Sequence, residues 1–354
     1  MKQDSTMQVC GIDIGDRFCR VFVMKNDGTR EDAWRMPTTR KGLSKAFAGK
    51  ERMRIALEVG THSGWICRDL EAMGHEVVVA NPRRLEAIWK NWKKSDDQDA
   101  ECLARLVRVD PELLKPVKHR SESEARHMAM VRSRAVLVAT RTSLINHVRS
   151  MLKTMGLRAP KCSSSAFVKR VNATLGEADL EALKGVLSCL AETDARVREY
   201  DRKLEELAKA HYPETTSLQT VPGVGPITAL VFRLVVQSPE RFPDSRSVAA
   251  YLGLVPRRDQ SGERDPQLGI SKAGDDYLRT LLVQAGHYLL GPFGPDCRLR
   301  RWGLALAGRG GKNAKKRAVV AVARKLSVVL LAMWRSGQDF DAWHQLAPEE
   351  VKAA

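Results

Sequence analysis

Four carboxylates in the first third of the chain have the surroundings of a metal site. Asp13 ends an apolar run in Gly11-Ile12-Asp13-Ile14-Gly15, and Glu58 ends another in Ala56-Leu57-Glu58-Val59-Gly60. Asp96 and Asp99 open a helical segment in Lys94-Ser95-Asp96-Asp97-Gln98-Asp99-Ala100, where a spacing of three places them on neighbouring sites of one face. A carboxylate among strand residues is costly to bury unless it meets a metal, a cation or a phosphate-bound ion. Carboxylates gathered from two strand ends and a helix start can hold one or two Mg²⁺ ions, which serve phosphodiester transfer by activating a nucleophile and stabilising a leaving oxygen. Singly, each has a plainer use. Asp96 or Asp97 suits a helix cap favoured by the dipole, Glu58 suits a strand end facing water, and Gly-x-Asp-x-Gly before a hairpin also occurs in the sugar-kinase and actin ATPase fold.

The second group lies in the last third. Thr220-Val221-Pro222-Gly223-Val224-Gly225-Pro226 precedes a helix, and such a turn, with Gly223 and Gly225, can offer backbone N–H groups to a phosphate without reading sequence. It reads as a helix-hairpin-helix element or as a tight structural turn. Ser261 follows Gln260 and precedes Gly262, near Arg257, Arg258 and Arg264, where a hydroxyl could attack a phosphate whose charge is already offset. Ser271 and Lys272, in Gly269-Ile270-Ser271-Lys272-Ala273-Gly274, equally suit phosphate binding or a helix cap, and Arg279 follows soon after. Gly308-Arg309-Gly310-Gly311 opens a basic helix carrying Lys312, Lys315, Lys316 and Arg317, and continuing through Arg324 and Lys325.

The elements that must position these residues differ along the chain. Val9 to Asp13, Phe18 to Met24 and Arg30 to Met36 read as strands, with Asn26-Asp27-Gly28 as a hairpin turn. Met53 to Glu58 and Val77 to Ala80 are further strands. Helical patterning covers Ser63 to Met73, Arg83 to Trp92 and Asp97 to Val109. Three strands in hairpin order followed by alternating helices and strands describe an α/β, ribonuclease-H-like domain over residues 1–115. Residues 121–156 and 177–211 lack proline and are rich in charge, and Leu183, Val186, Leu190, Val197, Leu204 and Leu207 form an amphipathic stripe. Residues 116–214 therefore read as an antiparallel helical pair, either a coiled-coil arm for dimerisation or a bundle within one chain. Residues 215–345 are mainly helical, with a flexible basic insert at Arg257 to Gly269, and 346–354 is a frayed tail.

Composition narrows the partner. The formal net charge is +17, and it is uneven: residues 1–110 carry 20 basic against 17 acidic side chains, whereas 245–345 carry 17 against 8. That excess suits a polyanion such as DNA or RNA. Seven cysteines without C-x-x-C spacing argue against a disulfide framework and a thiolate zinc site, and point to a reducing cytoplasm. No long uninterrupted apolar stretch offers a membrane span.

The runs GIDIG, ALEVG, K-S-D-D-Q-D-A, PGVGPITA, YLGLVP, Q-S-G and ISKAG together resemble the DEDD insertion-sequence transposases of the "one-ten" type, the bridge-RNA-guided recombinases. The resemblance extends from Gly11 to about Trp343. It implies a RuvC-like domain whose acids map onto Asp13, Glu58, Asp96 and Asp99 with Mg²⁺ as cofactor. It also implies a transposase domain whose catalytic serine maps onto Ser261, chosen over Ser271 by the Q-S-G match. In such enzymes the serine attacks a DNA phosphate while the acidic site, from a neighbouring protomer, supplies Mg²⁺. A structured bridge RNA pairs with donor and target DNA, and dimers pair into a tetramer on the DNA at the nucleoid. Family members often carry an aromatic residue soon after the acid-glycine segment, where this chain has His62-Ser63 before Trp65. Two other readings make different predictions. A metal-dependent junction-resolving nuclease would cut without a covalent intermediate, and a non-catalytic nucleic-acid-binding scaffold would tolerate loss of all four acids.

Overall fold

The computed structural model describes residues 7–81, 95–262, 264–266 and 268–343, so the helix expected over 83–92 and the tail at 346–354 lie outside it. Two compact units divide the chain at residues 125 and 126.

In the first unit, the buried apolar runs of β1 (Val9–Ile14) and β2 (Phe18–Met24) pair antiparallel, and the more exposed β3 (Arg30–Pro37) completes the meander on β2. The β2–β3 turn closes where expected. Gly28 takes φ +92°, where an L side chain is strained, and the Asp27 carboxylate accepts from the Thr29 backbone N–H at 2.8 Å. After α1 (Arg40–Phe47), which the sequence reading did not anticipate, β4 (Arg54–Glu58) pairs parallel with β1. Helix α2 (Ser63–Ala72) then crosses to β5 (Glu76–Ala80), parallel with β4, giving the order β3-β2-β1-β4-β5. Pairing buries both faces of the central strands. Ile12, Ile55 and Leu57 pack with Phe47, Ile66 and Leu70 on one side, while Val9, Phe22 and Ala56 meet Leu103, Ala104 and Val107 of α3 (Asp96–Val109) on the other.

The second unit is helical. Helices α4 (Glu122–Thr154) and α6 (Glu177–His211) run antiparallel, with the short α5 (Phe167–Asn172) between them in sequence. Their register shows in two ion pairs, Arg134–Asp201 at 2.6 Å and Arg141–Asp194 at 2.9 Å, in which a step of seven up one helix matches seven down the other. Asp194 also pairs with Arg198 and is only 8% exposed. One end of the pair has its own core, where Ile145, Val148 and Leu152 meet Phe167, Leu183 and Leu187. The other end joins the main helical core: Met128, Val131, Leu204 and Ala208 pack in one cluster with Phe232, Leu282 and Leu331. That shared core joins this end of the helical pair to the helices that follow it, within the same compact unit.

The rest of this unit comprises α7 (Thr215–Leu218), α8 (Pro226–Val236), α9 (Ser247–Tyr251), α10 (Asp276–Leu290), α11 (Arg298–Gly308) and α12 (Ala314–Ser336). Two glycines let the last three approach closely. A Cβ on Gly286 would stand 2.9 Å from the Val319 carbonyl oxygen, and one on Gly303 would stand 2.6 Å from Val322. Among the described residues no helix is long and apolar enough to cross a membrane.

Candidate catalytic and nucleic-acid-binding sites

The acidic residues gather through backbone pairing. Ile12 pairs with Leu57 across the parallel β1–β4 ladder, so Asp13 and Glu58, next in each strand, stand on adjacent strands at the same edge of the sheet. Gly11 brings the third element in. A Cβ there would lie 1.9 Å from the Ala100 carbonyl oxygen and 2.7 Å from the Ala104 nitrogen, so α3 rests directly on the β1 backbone with its first turns beside Asp13. Ser95 caps α3 by accepting from Gln98 N–H, and Asp96, Asp97 and Asp99 occupy the first turn, where the helix dipole favours negative charge. Asp13, Glu58 and Asp99 are half-buried and Asp96 is exposed.

Neighbouring thiols feel this charge. Burial, then the negative charges of Asp99, Glu101 and Glu58, push the Cys102 thiol up, and burial with the Asp13 charge behind it does the same to Cys19. The sequence reading missed Arg20. It pairs with Asp13 across β1–β2, and its guanidinium stands 3.4 Å from Asp97, placing one cation beside the carboxylates. At the rim, the Trp65 indole N–H donates to His62 Nδ1 at 3.2 Å, and His62 Nε2 lies 3.6 Å from Asp16. An all-carboxylate donor set suits a hard divalent cation. Among the described residues, however, no three such side chains stand close enough to form a ready-made metal cluster.

Ser261 sits in a tight turn at the tip of an extended excursion, within the insert expected over Arg257 to Gly269. Ser261 and Arg264 exchange both backbone hydrogen bonds at 3.0 Å, and Gly262 takes φ +55° in the turn. The legs are tied lower down, where Arg257 N–H donates to Gly269 O and Ser271 N–H to Val255 O, each at 2.9 Å. Ser261 and Arg257 are exposed; Arg258 is also exposed and pairs with Asp265 at 3.4 Å. Ser271 is half-buried in the base of the excursion, and its hydroxyl accepts from Ala273 N–H at 3.5 Å.

The remaining predicted contact residues divide by surroundings. Gly223 takes φ +84°, and a Cβ there would meet the Ala285 carbonyl oxygen at 3.0 Å, so the turn is pressed against α10. Gly225 caps α8 with open space around it, and α7 ahead of the turn is a single turn of four residues. Arg279 is committed internally, donating to the Leu252 and Ala273 carbonyls at 3.0 and 2.8 Å, and so staples the base of the Ser261 excursion to α10. Lys272 is exposed with φ +55°. Lys312, Lys315, Lys316 and Arg317 are exposed at the start of α12, where Lys315 to Arg317 stand against the helix dipole with no acidic residue in the first turn.

A groove of about 1040 Å³ collects much of this charge. Arg246, Lys272, Lys316, Arg317, Arg324 and Lys325 line it, with no acidic residue among the described residues of its lining, which also includes Leu254, Ile270, Val320, Val328 and Trp302. The sequence reading missed Arg246, which lies far from the basic run in the chain, and Trp302, which lies on the preceding helix; both join it in the folded unit.

Carboxylates at the edge of a mixed sheet and a basic, serine-bearing helical unit are thus the two candidate sites. Comparison with known proteins is specific. A DEDD-type IS110 family model, described as Transposase, matches residues 10–156, and one described as Transposase IS116/IS110/IS902 family matches 215–296. The transposase for insertion sequence element IS1111A of Coxiella burnetii is 30% identical over 75% of this chain and 73% of its own length. The transposase for insertion sequence element IS1328 of Yersinia enterocolitica is 26% identical over 93% of this chain and 97% of its own. A pilin gene-inverting protein of Moraxella lacunata is 25% identical over 75% of both chains. The chain belongs to the IS110/IS116/IS902 family of insertion-sequence transposases and is a DNA transposase, an enzyme of DNA recombination.

Proposed function

We propose that this transposase exchanges DNA strands with Ser261 as nucleophile and with Asp13, Glu58, Asp96 and Asp99 as the site of a divalent metal, Mg²⁺, and that a structured bridge RNA selects its donor and target DNA. The observation that carries the reading is the convergence of Asp13, Glu58 and the acidic first turn of α3 through the β1–β4 register and the Gly11 contact. The strand order β3-β2-β1-β4-β5, with its antiparallel meander followed by parallel strands, supports a ribonuclease-H-like domain of the RuvC type. When bound, the metal supplies Lewis-acid stabilisation of charge on phosphate oxygens.

The chain's own residues do the rest. Exposure at a hairpin tip leaves the Ser261 hydroxyl open to an incoming backbone. Its Oγ forms a bond to phosphorus as the bond to a deoxyribose oxygen breaks; the serine gives up its proton and the departing oxygen takes one. Arg257 and Arg264 offset phosphate charge around it. A covalent phosphoserine keeps the energy of the broken bond for rejoining to a new strand, which a hydrolytic nuclease would lose. The acidic site of a neighbouring protomer would serve this step within a dimer that pairs into a tetramer on DNA. The net charge of +17 suits a chain that holds RNA and DNA together.

The test uses cells carrying the gene with its native flanks, and amplification across abutted element ends to detect an excised circle. Ser261→Ala is expected to lower circle formation by roughly a million-fold, as removal of a nucleophile does elsewhere, so that no circle is detected. Normal circle formation by Ser261→Ala would transfer the cleavage step to the acidic site alone.

A further inference from the structure

The groove beside α12 is more than a patch of charge. Along the face of α12 that lines it, residues come in alternating pairs: Lys316 and Arg317, Val320 and Ala321, Arg324 and Lys325, Val328 and Val329. A step of four keeps successive pairs on one face, so cationic and apolar bands follow each other about 6 Å apart along the helix. Duplex DNA presents phosphates on its outside and hides its base faces in the stack, so apolar bands between the cations would gain nothing from it. A strand with its bases turned out presents both chemistries in alternation.

Trp302 supplies the platform such a strand needs. It lines the groove from α11, with the Lys325 ammonium 5.7 Å from the ring centroid. The neighbouring Gly303 is pressed onto Val322 and Leu290, at 2.6 and 2.7 Å from where its Cβ would be, which holds the α11 backbone against α12. Base–aromatic stacking tolerates any sequence because every base has a π face. The volume lies at the upper end of the roughly 300–1,000 Å³ of small-ligand sites, which leaves space for more than one nucleotide. Leu254, Pro256, Gly269 and Ile270, from the legs of the excursion that bears Ser261, form another wall.

We propose that this groove holds an unpaired stretch of the nucleic-acid partner, a base stacked on Trp302 and the phosphates along Lys316, Arg317, Arg324 and Lys325. The inference rests on the nucleic-acid reading of the second unit and narrows it to single strands. Its logic is that strands must leave their duplex before they can be exchanged, and the groove keeps such a strand at the foot of the nucleophile's hairpin.

The experiment measures binding of the full chain to a short fluorescent oligothymidylate, which cannot pair with itself, and to a duplex of equal length. An acidic helical peptide serves as competitor. The oligothymidylate is expected to bind, and Trp302→Ala to weaken it about 5- to 100-fold while changing duplex affinity less than about twofold. Trp302→Phe restores binding. Trp302→Leu, which keeps an apolar side chain but no ring, is expected to stay folded in melting curves but not to recover the affinity. Wild-type affinity in Trp302→Leu, equal losses for duplex and single strand, or displacement of the oligothymidylate by the peptide would each overturn the proposal. If the wild type binds neither nucleic acid, the broader nucleic-acid reading fails as well, an outcome distinct from loss of single-strand preference alone.

Discussion

The acidic site and the basic groove solve opposite problems. Asp13 and Glu58 stand on adjacent strands of a sheet covered on both faces, and α3 is pinned to β1 by a glycine with no space for a methyl group. Ser261 stands on an exposed tip tied by few backbone bonds, and the cations of α12 reach from one helix face into an open groove. Holding a metal and a reacting phosphate tolerates errors of only a fraction of an ångström, so it needs a framework whose positions are set by packing. Attracting a polyanion needs charge density rather than exact position. An exposed tip would also leave the proposed nucleophile, Ser261, open to a DNA backbone.

The contrast can be broken most severely at Gly11. Gly11→Val must push α3 off β1, and we expect a loss of about 3 kcal/mol in denaturant unfolding together with loss of circle formation. A folded variant of wild-type stability that still excises the element would show that α3 need not sit on β1.

Charge removal in the groove should behave differently. Lys316→Gln with Arg317→Gln leaves the fold intact and lowers the salt slope of nucleic-acid binding by about 1.4 to 1.8, the share of two phosphate contacts. The slope is read from binding titrations across a salt series. An unchanged slope would take both residues off the contact surface.

The smallest effect expected is a pH dependence in the sheet unit. His119 Nε2 is buried without a hydrogen-bond partner among the described residues, and burial, followed by the charges of Arg68 and Arg120, holds its pKa below the usual histidine range. The unfolded chain therefore takes up this proton first as pH falls. The stability contribution is fully present above about pH 6.5 and is lost as pH drops toward the depressed folded value. Melting curves across that interval should flatten in His119→Gln; an unchanged pH profile would assign the dependence to another group.

Local pattern explains which parts were legible in advance. Strand β1 declares itself by its apolar run, β2 by alternation and β3 by returning after Asn26-Asp27-Gly28, because each signal depends on residues a few positions apart. The two long helices declare themselves by charge and apolar periodicity for the same reason. Helix α1 escaped notice because its eight residues bury only Leu43 and Phe47, too few for a clear period. Arg279 stands in the sequence as a candidate nucleic-acid-binding residue beside Ser271 and Lys272, since a side chain's destination is not encoded in its type. Only the folded chain shows it bonded to the carbonyls of Leu252 and Ala273.

By itself the sequence determined the kinds of chemistry available: carboxylates at strand ends, a serine between glutamine and glycine, and cations concentrated toward the C-terminus. It also determined the family, because these short runs occur together and in order. The tertiary structure alone decided that Asp13 and Glu58 share one sheet edge, that Gly11 admits α3 to them, and that Arg246, Lys272 and Trp302 meet the α12 stripe in a single groove. The physical reason is distance along the chain. Periodicity and turn chemistry act between near neighbours, whereas these contacts join segments dozens of residues apart and form only when burial of apolar surface offsets the entropy of closing the loops between them.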